Sequence, residues 1–125
     1  MRLLLDSNVW LWALQGSERL PAKVRGRIVS ADAVFVSAAS VWEVAIKAQL
    51  GKLNADAADL VRISQDSGFI ELPVTSAHAL TAASLPAHHQ DPFDRMLVAQ
   101  AVMSPLRLLT SNAVLRRYSE LVEVI

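Results

Sequence analysis

The chain has no cysteine. That excludes a disulfide scaffold and a thiolate metal site, and it agrees with a reducing compartment. It also has no surplus of charge. Lys+Arg and Asp+Glu number 12 each, so no global field draws it to nucleic acid or to a membrane, and a polyanion must be gripped by a local patch. No apolar run approaches the roughly 18 residues of a membrane helix. Met1-Arg2-Leu3-Leu4-Leu5 meets Asp6 too early to be the core of a signal peptide. The expectation is a cytoplasmic domain with no membrane association. There is no linker, repeat or low-complexity segment, so residues 1–125 are expected to form one domain with a continuous core. What is abundant is apolar: 53% of the chain, which hints at an apolar surface covered by a partner or a second copy.

Short apolar runs alternate with helix-forming segments. Residues 3–5 suit a buried strand leading into a helix over 9–14, which Gly16-Ser17-Glu18 breaks. Pro21 opens a helix to about residue 30. A strand at 33–36 precedes a helix that Ser37 or Ser40 caps and Gly51 ends. A helix over 55–67, a strand at 69–72 and a helix over 75–84 follow. A loop at 85–90 leads to a helix starting near Pro92. Strands at 106–109 and 121–125 flank Thr110-Ser111-Asn112 and a short helix. This alternation predicts an α/β sandwich around a short, mostly parallel sheet.

Asp94 is the residue that needs explaining first. Leu97, Val98 and Ala101 follow it at three, four and seven residues, the spacing of a core-facing helical stripe. An acid heading a buried stripe loses hydration and needs a cation or hydrogen-bond donors. Asp91 has a simpler reading as the N-cap before Pro92, and it also stands as a candidate ligand. Asp6 follows the first strand, where side chains of open α/β sheets project into the ligand crevice, although it also suits a cap. Asn112 follows a later strand in the same way. Its amide oxygen is a further candidate donor, while Thr110, Ser111 and Asn112 are all capping types. Glu43 borders the face of a helix whose core stripe is read as Ala39, Trp42, Ile46 and Leu50; a pair with Lys47 at i,i+4 is the plainer alternative. Arg95 is placed to meet a phosphate or one of the acids. His88-His89 with Asp91 and Asp94 lacks a zinc spacing and reads as a polar loop beside the cleft, with His89 near substrate. Trp10 and Trp12 face opposite sides of one helix, so at most one belongs to the core.

These pieces resemble the PIN-domain ribonucleases, in particular the toxins of VapBC-type toxin–antitoxin pairs. The matching segments are Leu3 to Trp12 with its Asp6-Ser7-Asn8, Ser37 to Lys47 with its Trp42-Glu43, Gly51-Lys52-Leu53, Leu85 to Arg95 with its Asp91-Pro92-Phe93-Asp94-Arg95, and Leu109-Thr110-Ser111-Asn112. They run in order along nearly the whole chain. The resemblance implies a PIN-like α/β/α sandwich and a cluster of acids on Asp6, Glu43 and Asp94 as catalytic and metal-ligating residues. It implies Mg²⁺, or Mn²⁺, as cofactor, hydrolysis of single-stranded or loop RNA, a cognate antitoxin and a homodimer. The fourth acid usual in that family falls on Asn112, a departure expected to weaken metal binding unless Asp91 compensates. Lys47, Arg95, Ser7 and Ser111 are expected at the substrate, with Lys52, Arg116 and Arg117 as further cations for RNA.

Other classes fit less well. A phosphatase with an aspartate nucleophile needs an acid two residues after Asp6, where Asn8 stands, and a receiver module needs an acidic pair before its aspartyl strand. The remaining alternative is a PIN-like binding module whose metal site Asn112 has weakened or disabled.

Overall fold

The computed structural model describes residues 1–125. In chain order it contains β1 (Arg2–Leu5), α1 (Ser7–Gln15), α2 (Ala22–Ser30), β2 (Ala33–Ser37), α3 (Ala38–Gln49) and α4 (Ala57–Asp66). Then come β3 (Ile70–Leu72), α5 (Ser76–Ser84), α6 (Pro92–Met103), β4 (Arg107–Thr110), a 3₁₀ helix (Ala113–Arg117) and β5 (Val122–Val124). The strands form one sheet in the order β3-β2-β1-β4-β5. All four pairings are parallel, so the sheet is parallel throughout rather than mostly so.

The strands are short and apolar because both faces are covered. Leu3 and Leu5 of β1 point into a core shared with Trp10, Val24, Ile28, Val44 and Leu60 from α1–α4. Leu4 points the other way, to Leu97, Val98 and Ala101 of α6 and to Leu108. Helices on both faces of the sheet make the expected α/β/α sandwich. The α6 stripe is buried as its spacing predicts, with Leu97, Val98 and Ala101 nearly inaccessible. Trp10 is the core tryptophan, and its indole N–H donates to Ser64 Oγ at 3.1 Å.

Helix α3 departs from expectation. Its buried residues are Ala39, Ser40 and Val44, while Trp42 is 64% exposed and Leu50 62%. The side chains that α3 buries are small or medium-sized, and its large apolar residues lie outside. There Trp42 meets Phe93 of α6 edge-on, with centroids 5.5 Å apart. The stripe read as core is therefore largely a surface stripe. It borders an apolar hollow lined by Ala38, Ala39, Val74, Pro92 and Met96.

Candidate active site

Chain order runs outward in both directions from the β1–β4 pair, which makes that pair the topological switch point, and crevices open at the carboxyl ends of such strands. A cavity of about 150 Å³ lies there. Four of its lining residues are the acids Asp6, Glu43, Asp91 and Asp94; the others are Ser7, Asn8, Lys47, Ser111 and Asn112, with no apolar residue among them. Eight sequence-predicted site residues thus converge. Larger hollows exist under α2 and beside Trp42, but neither gathers acids.

Each side chain is delivered by an element's end or by a helix packed over it. Asp6 ends β1 and caps α1: its Oδ1 accepts from the N–H of Val9 at 2.8 Å and its Oδ2 from that of Ser111 at 3.4 Å. Capping and projection into the crevice are one arrangement here. Burial raises the Asp6 carboxyl above its ordinary value, and the like charge of Asp94 adds to that, against hydrogen bonds from Thr110, Val9 and Ser111. Asp91 caps α6, and its Oδ1 takes both the Phe93 and Asp94 N–H groups. Asp94 heads the buried stripe. Its carboxyl is also raised, chiefly by burial and further by Asp91, while hydrogen bonds from His89 and Asn112 oppose.

Glu43 enters from α3, one residue before buried Val44 and three after buried Ser40, and its side chain is only 12% exposed. Ser7 Oγ donates to its Oε1 at 2.6 Å, and Lys47 Nζ lies 3.1 Å from its Oε2. The i,i+4 pair exists, inside the cleft rather than on an outer face. Asn112 caps the 3₁₀ helix: its Oδ1 accepts from Val114 N–H at 3.2 Å, and its Nδ2 faces Asp94 Oδ2 at 3.4 Å. The amide oxygen expected as a metal donor is therefore turned away, and the cleft receives an N–H instead.

A family model for the PIN domain matches residues 3–121. The chain belongs to the PIN domain family. A curated relative, Ribonuclease VapC22 of Mycobacterium tuberculosis, is 30% identical over 118 residues, covering 93% of this chain and 91% of the relative. Among solved structures, VapBC2 of Rickettsia felis bound to a promoter DNA fragment superposes with a TM-score of 0.72 at 13% identity, covering 99% of this chain and 98% of that one. DNA-bound VapBC of Salmonella typhimurium gives 0.71 at 15% identity, covering 100% and 97%. At those identities the two structures speak to the PIN fold alone.

Arg95 does not join the acids of this PIN cleft. Its guanidinium donates to the carbonyls of Ala82, Leu85 and Pro86 at 2.8–2.9 Å and to that of His89 at 3.2 Å, and it reaches Tyr118 Oη at 3.3 Å. Two of these, Ala82 and Leu85, are carbonyls at the end of α5 that lack partners in their own helix. A planar fork with five donors suits that task, so the expected phosphate contact gives way to a structural clamp. Lys52, Arg116 and Arg117 are exposed and outside the cavity lining. Sequence reasoning missed Tyr118, whose hydroxyl donates to Pro86 carbonyl and accepts from His89 N–H. No local pattern marks a residue whose partners lie some 30 positions away.

Proposed function

We propose that this protein is a metal-dependent endoribonuclease of the toxin kind, which hydrolyses RNA phosphodiester bonds and is neutralised by a cognate antitoxin. The observation that carries this reading is the convergence of four carboxylates in one wholly polar cavity, two of them with pKa values raised by burial. The donor set fits Mg²⁺ or Mn²⁺, which take hard oxygen ligands. Four acids against one lysine leave a negative excess that a divalent ion relieves. Asp6, Glu43 and Asp94 would hold the ion, with Asp91 beside them. When bound, the ion would supply water activation and neutralise charge on the phosphodiester in the transition state.

The chain's own residues do the positioning. Val9 and Ser111 N–H groups fix Asp6, and the Ser7 hydroxyl fixes Glu43. Lys47, about half exposed, presents its ammonium where a substrate phosphate enters. The name of the curated relative supports ribonuclease chemistry, and the toxin–antitoxin complexes among the structural neighbours support an antitoxin partner. The apolar hollow at Trp42 and Phe93 is a surface for that antitoxin or for a homodimer. No helix is long and apolar enough to cross a membrane, in keeping with a cytoplasmic site of action.

One observation favours a second reading. With Asn112 Oδ1 spent on Val114, position 112 gives the cleft no oxygen donor, which suits a weakened or inactive binding module. Cleavage of an RNA panel that includes transfer RNAs, with Mg²⁺ or Mn²⁺ against chelator, separates the two. Metal-dependent cuts that disappear in Asp6→Ala and Asp94→Ala are expected. Silence in the parent, with cutting in Asn112→Asp, would establish the binding module instead. Cutting that survives both alanine variants refutes the site.

A further inference from the structure

The loop between α5 and α6 is pinned around one residue. The backbone N–H of His89 donates to Tyr118 Oη at 2.9 Å, and its carbonyl accepts from Arg95 at 3.2 Å. Arg95 is itself anchored on the carboxyl end of α5, and the His88 ring packs against Tyr118 with centroids 5.1 Å apart. With its backbone held on both sides, His89 is not needed to secure the loop through its side chain. The imidazole is instead aimed at the acids: Nε2 lies 2.9 Å from Asp94 Oδ2 and 3.4 Å from Asn112 Nδ2. Donor atoms of His89, Asp91 and Asp94 all fall within 4.8 Å of one another.

We infer that His89 supplies a nitrogen ligand to the ion held by Asp94, which makes the cleft a mixed carboxylate–imidazole centre selective for Mn²⁺ over Mg²⁺. This rests on the metal-dependent reading above. Asn112 supplies the reason. It presents N–H rather than oxygen to the cleft, so the set is one donor short, and His89 Nε2, which donates to Asp94 in the metal-free protein, would turn its lone pair to the ion in place of that proton. The 2.9 Å separation from Asp94 is close to the about 3 Å between neighbouring donors around an ion with about 2.1 Å bonds. A hydrogen bond to orient Asp94 would not by itself call for an imidazole, because Asn112 already offers a donor. Mg²⁺ demands oxygen ligands, whereas imidazole suits transition-metal ions, so replacing an oxygen by this nitrogen shifts preference toward Mn²⁺.

Calorimetric titration of the whole chain with Mn²⁺ and with Mg²⁺, together with pulsed electron paramagnetic resonance of the Mn²⁺ form, tests this without any activity assay. The parent is expected to show nitrogen coupling to Mn²⁺ and to bind Mn²⁺ at least about tenfold more tightly than Mg²⁺. In His89→Ala and His89→Gln the coupling disappears and Mn²⁺ affinity falls about tenfold, while Mg²⁺ affinity stays within about threefold. His78, bonded to Thr75, and His88, against Tyr118, leave His89 as the source of the signal. Mn²⁺ bound in an Asp94-dependent way with no nitrogen coupling in the parent overturns the role of His89 and leaves the metal reading standing. No binding of either ion, or binding unchanged in Asp94→Asn, overturns both. The parent spectrum needs no variant to fold.

Discussion

Replacing Asp94 by asparagine should make the metal-free protein more stable and leave it unable to respond to metal. Asp94 is 21% exposed, and burial with Asp91 nearby disfavours its ionised form. Asparagine keeps the shape and keeps an oxygen for the donors around it. What it loses is a charge in the first turn of α6, worth about 0.3–1 kcal/mol at a helix N-terminus. It also weakens the hydrogen bond from His89, and what it gains is relief from a desolvated charge beside Asp91. Relief wins, because burial is the largest influence on this carboxyl. At about 2.1 cal/mol/K per residue, 125 residues melt with an entropy near 0.26 kcal/mol/K, so the variant should melt higher in chelator by about 4 °C for each kcal/mol relieved. Saturating metal works the opposite way. At about 100 times Kd it stabilises the parent by about 2.7 kcal/mol, an increase of about 10 °C, and the variant by nothing measurable. Circular dichroism melts with chelator and with Mn²⁺, run at about pH 7.5, read both effects. A variant that melts below the parent in chelator refutes the burial argument, and one that keeps the metal-induced rise refutes Asp94 as a ligand.

Four further outcomes follow from the same geometry. Asp6 has a folded pKa raised above 3.8, so the stability its protonation confers is fully present below that value and lost as pH rises through the folded value. In urea titrations with chelator, the advantage of Asp6→Asn over the parent should therefore widen with pH; a constant gap contradicts the raised pKa. Arg95→Ala should cost about 2–3 kcal/mol in urea unfolding, and Arg95→Lys should recover little of it, because an ammonium cannot reproduce the fork. Ser7→Ala should lower metal affinity about tenfold by releasing Glu43, with stability changed by less than about 1 kcal/mol, read by calorimetry and melts. Asn112→Asp should raise metal affinity and lower the metal-free melting temperature in the same pair of measurements.

The fold was legible because its signals are local. Strand–helix alternation, the Asp91-Pro92 start of α6 and its apolar stripe each depend on residues within a turn or two of one another, and each appears where its pattern puts it. The acids were legible for the same reason, since three of them sit at the ends of strands or the starts of helices. Helix α3 misled because periodicity reports an apolar face without reporting which way it turns. Ala39 is buried as read, but Ser40 and Val44 are small enough to be passed over, while Trp42 and Leu50 draw the eye and lie outside. Arg95 misled for a different reason. A cation beside an acid in sequence suggests a partner at the site, yet consecutive helix residues point about 100° apart, and its partners are carbonyls of another helix's end. The aim of His89 depends on Tyr118, across the α6–β4 unit, which no reading of nearby residues reaches.

Capping and ligation are not competing explanations of these residues, because one side chain does both. Asp6 gives Oδ1 to the start of α1 and turns Oδ2 toward the cleft side of Ser111; Asp91 spends Oδ1 alone on the start of α6. A carboxylate can serve two masters because its two oxygens are equivalent acceptors. An amide cannot. Asn112 gives its single oxygen to Val114 at the start of the 3₁₀ helix and has only N–H to offer inward. The local requirement for a cap is therefore met equally by Asp or Asn at this position, while the inward donor is lost only with Asn. That asymmetry makes residue 112 the place where this PIN domain's site can be altered without disturbing its fold, and the imidazole of His89 stands beside it.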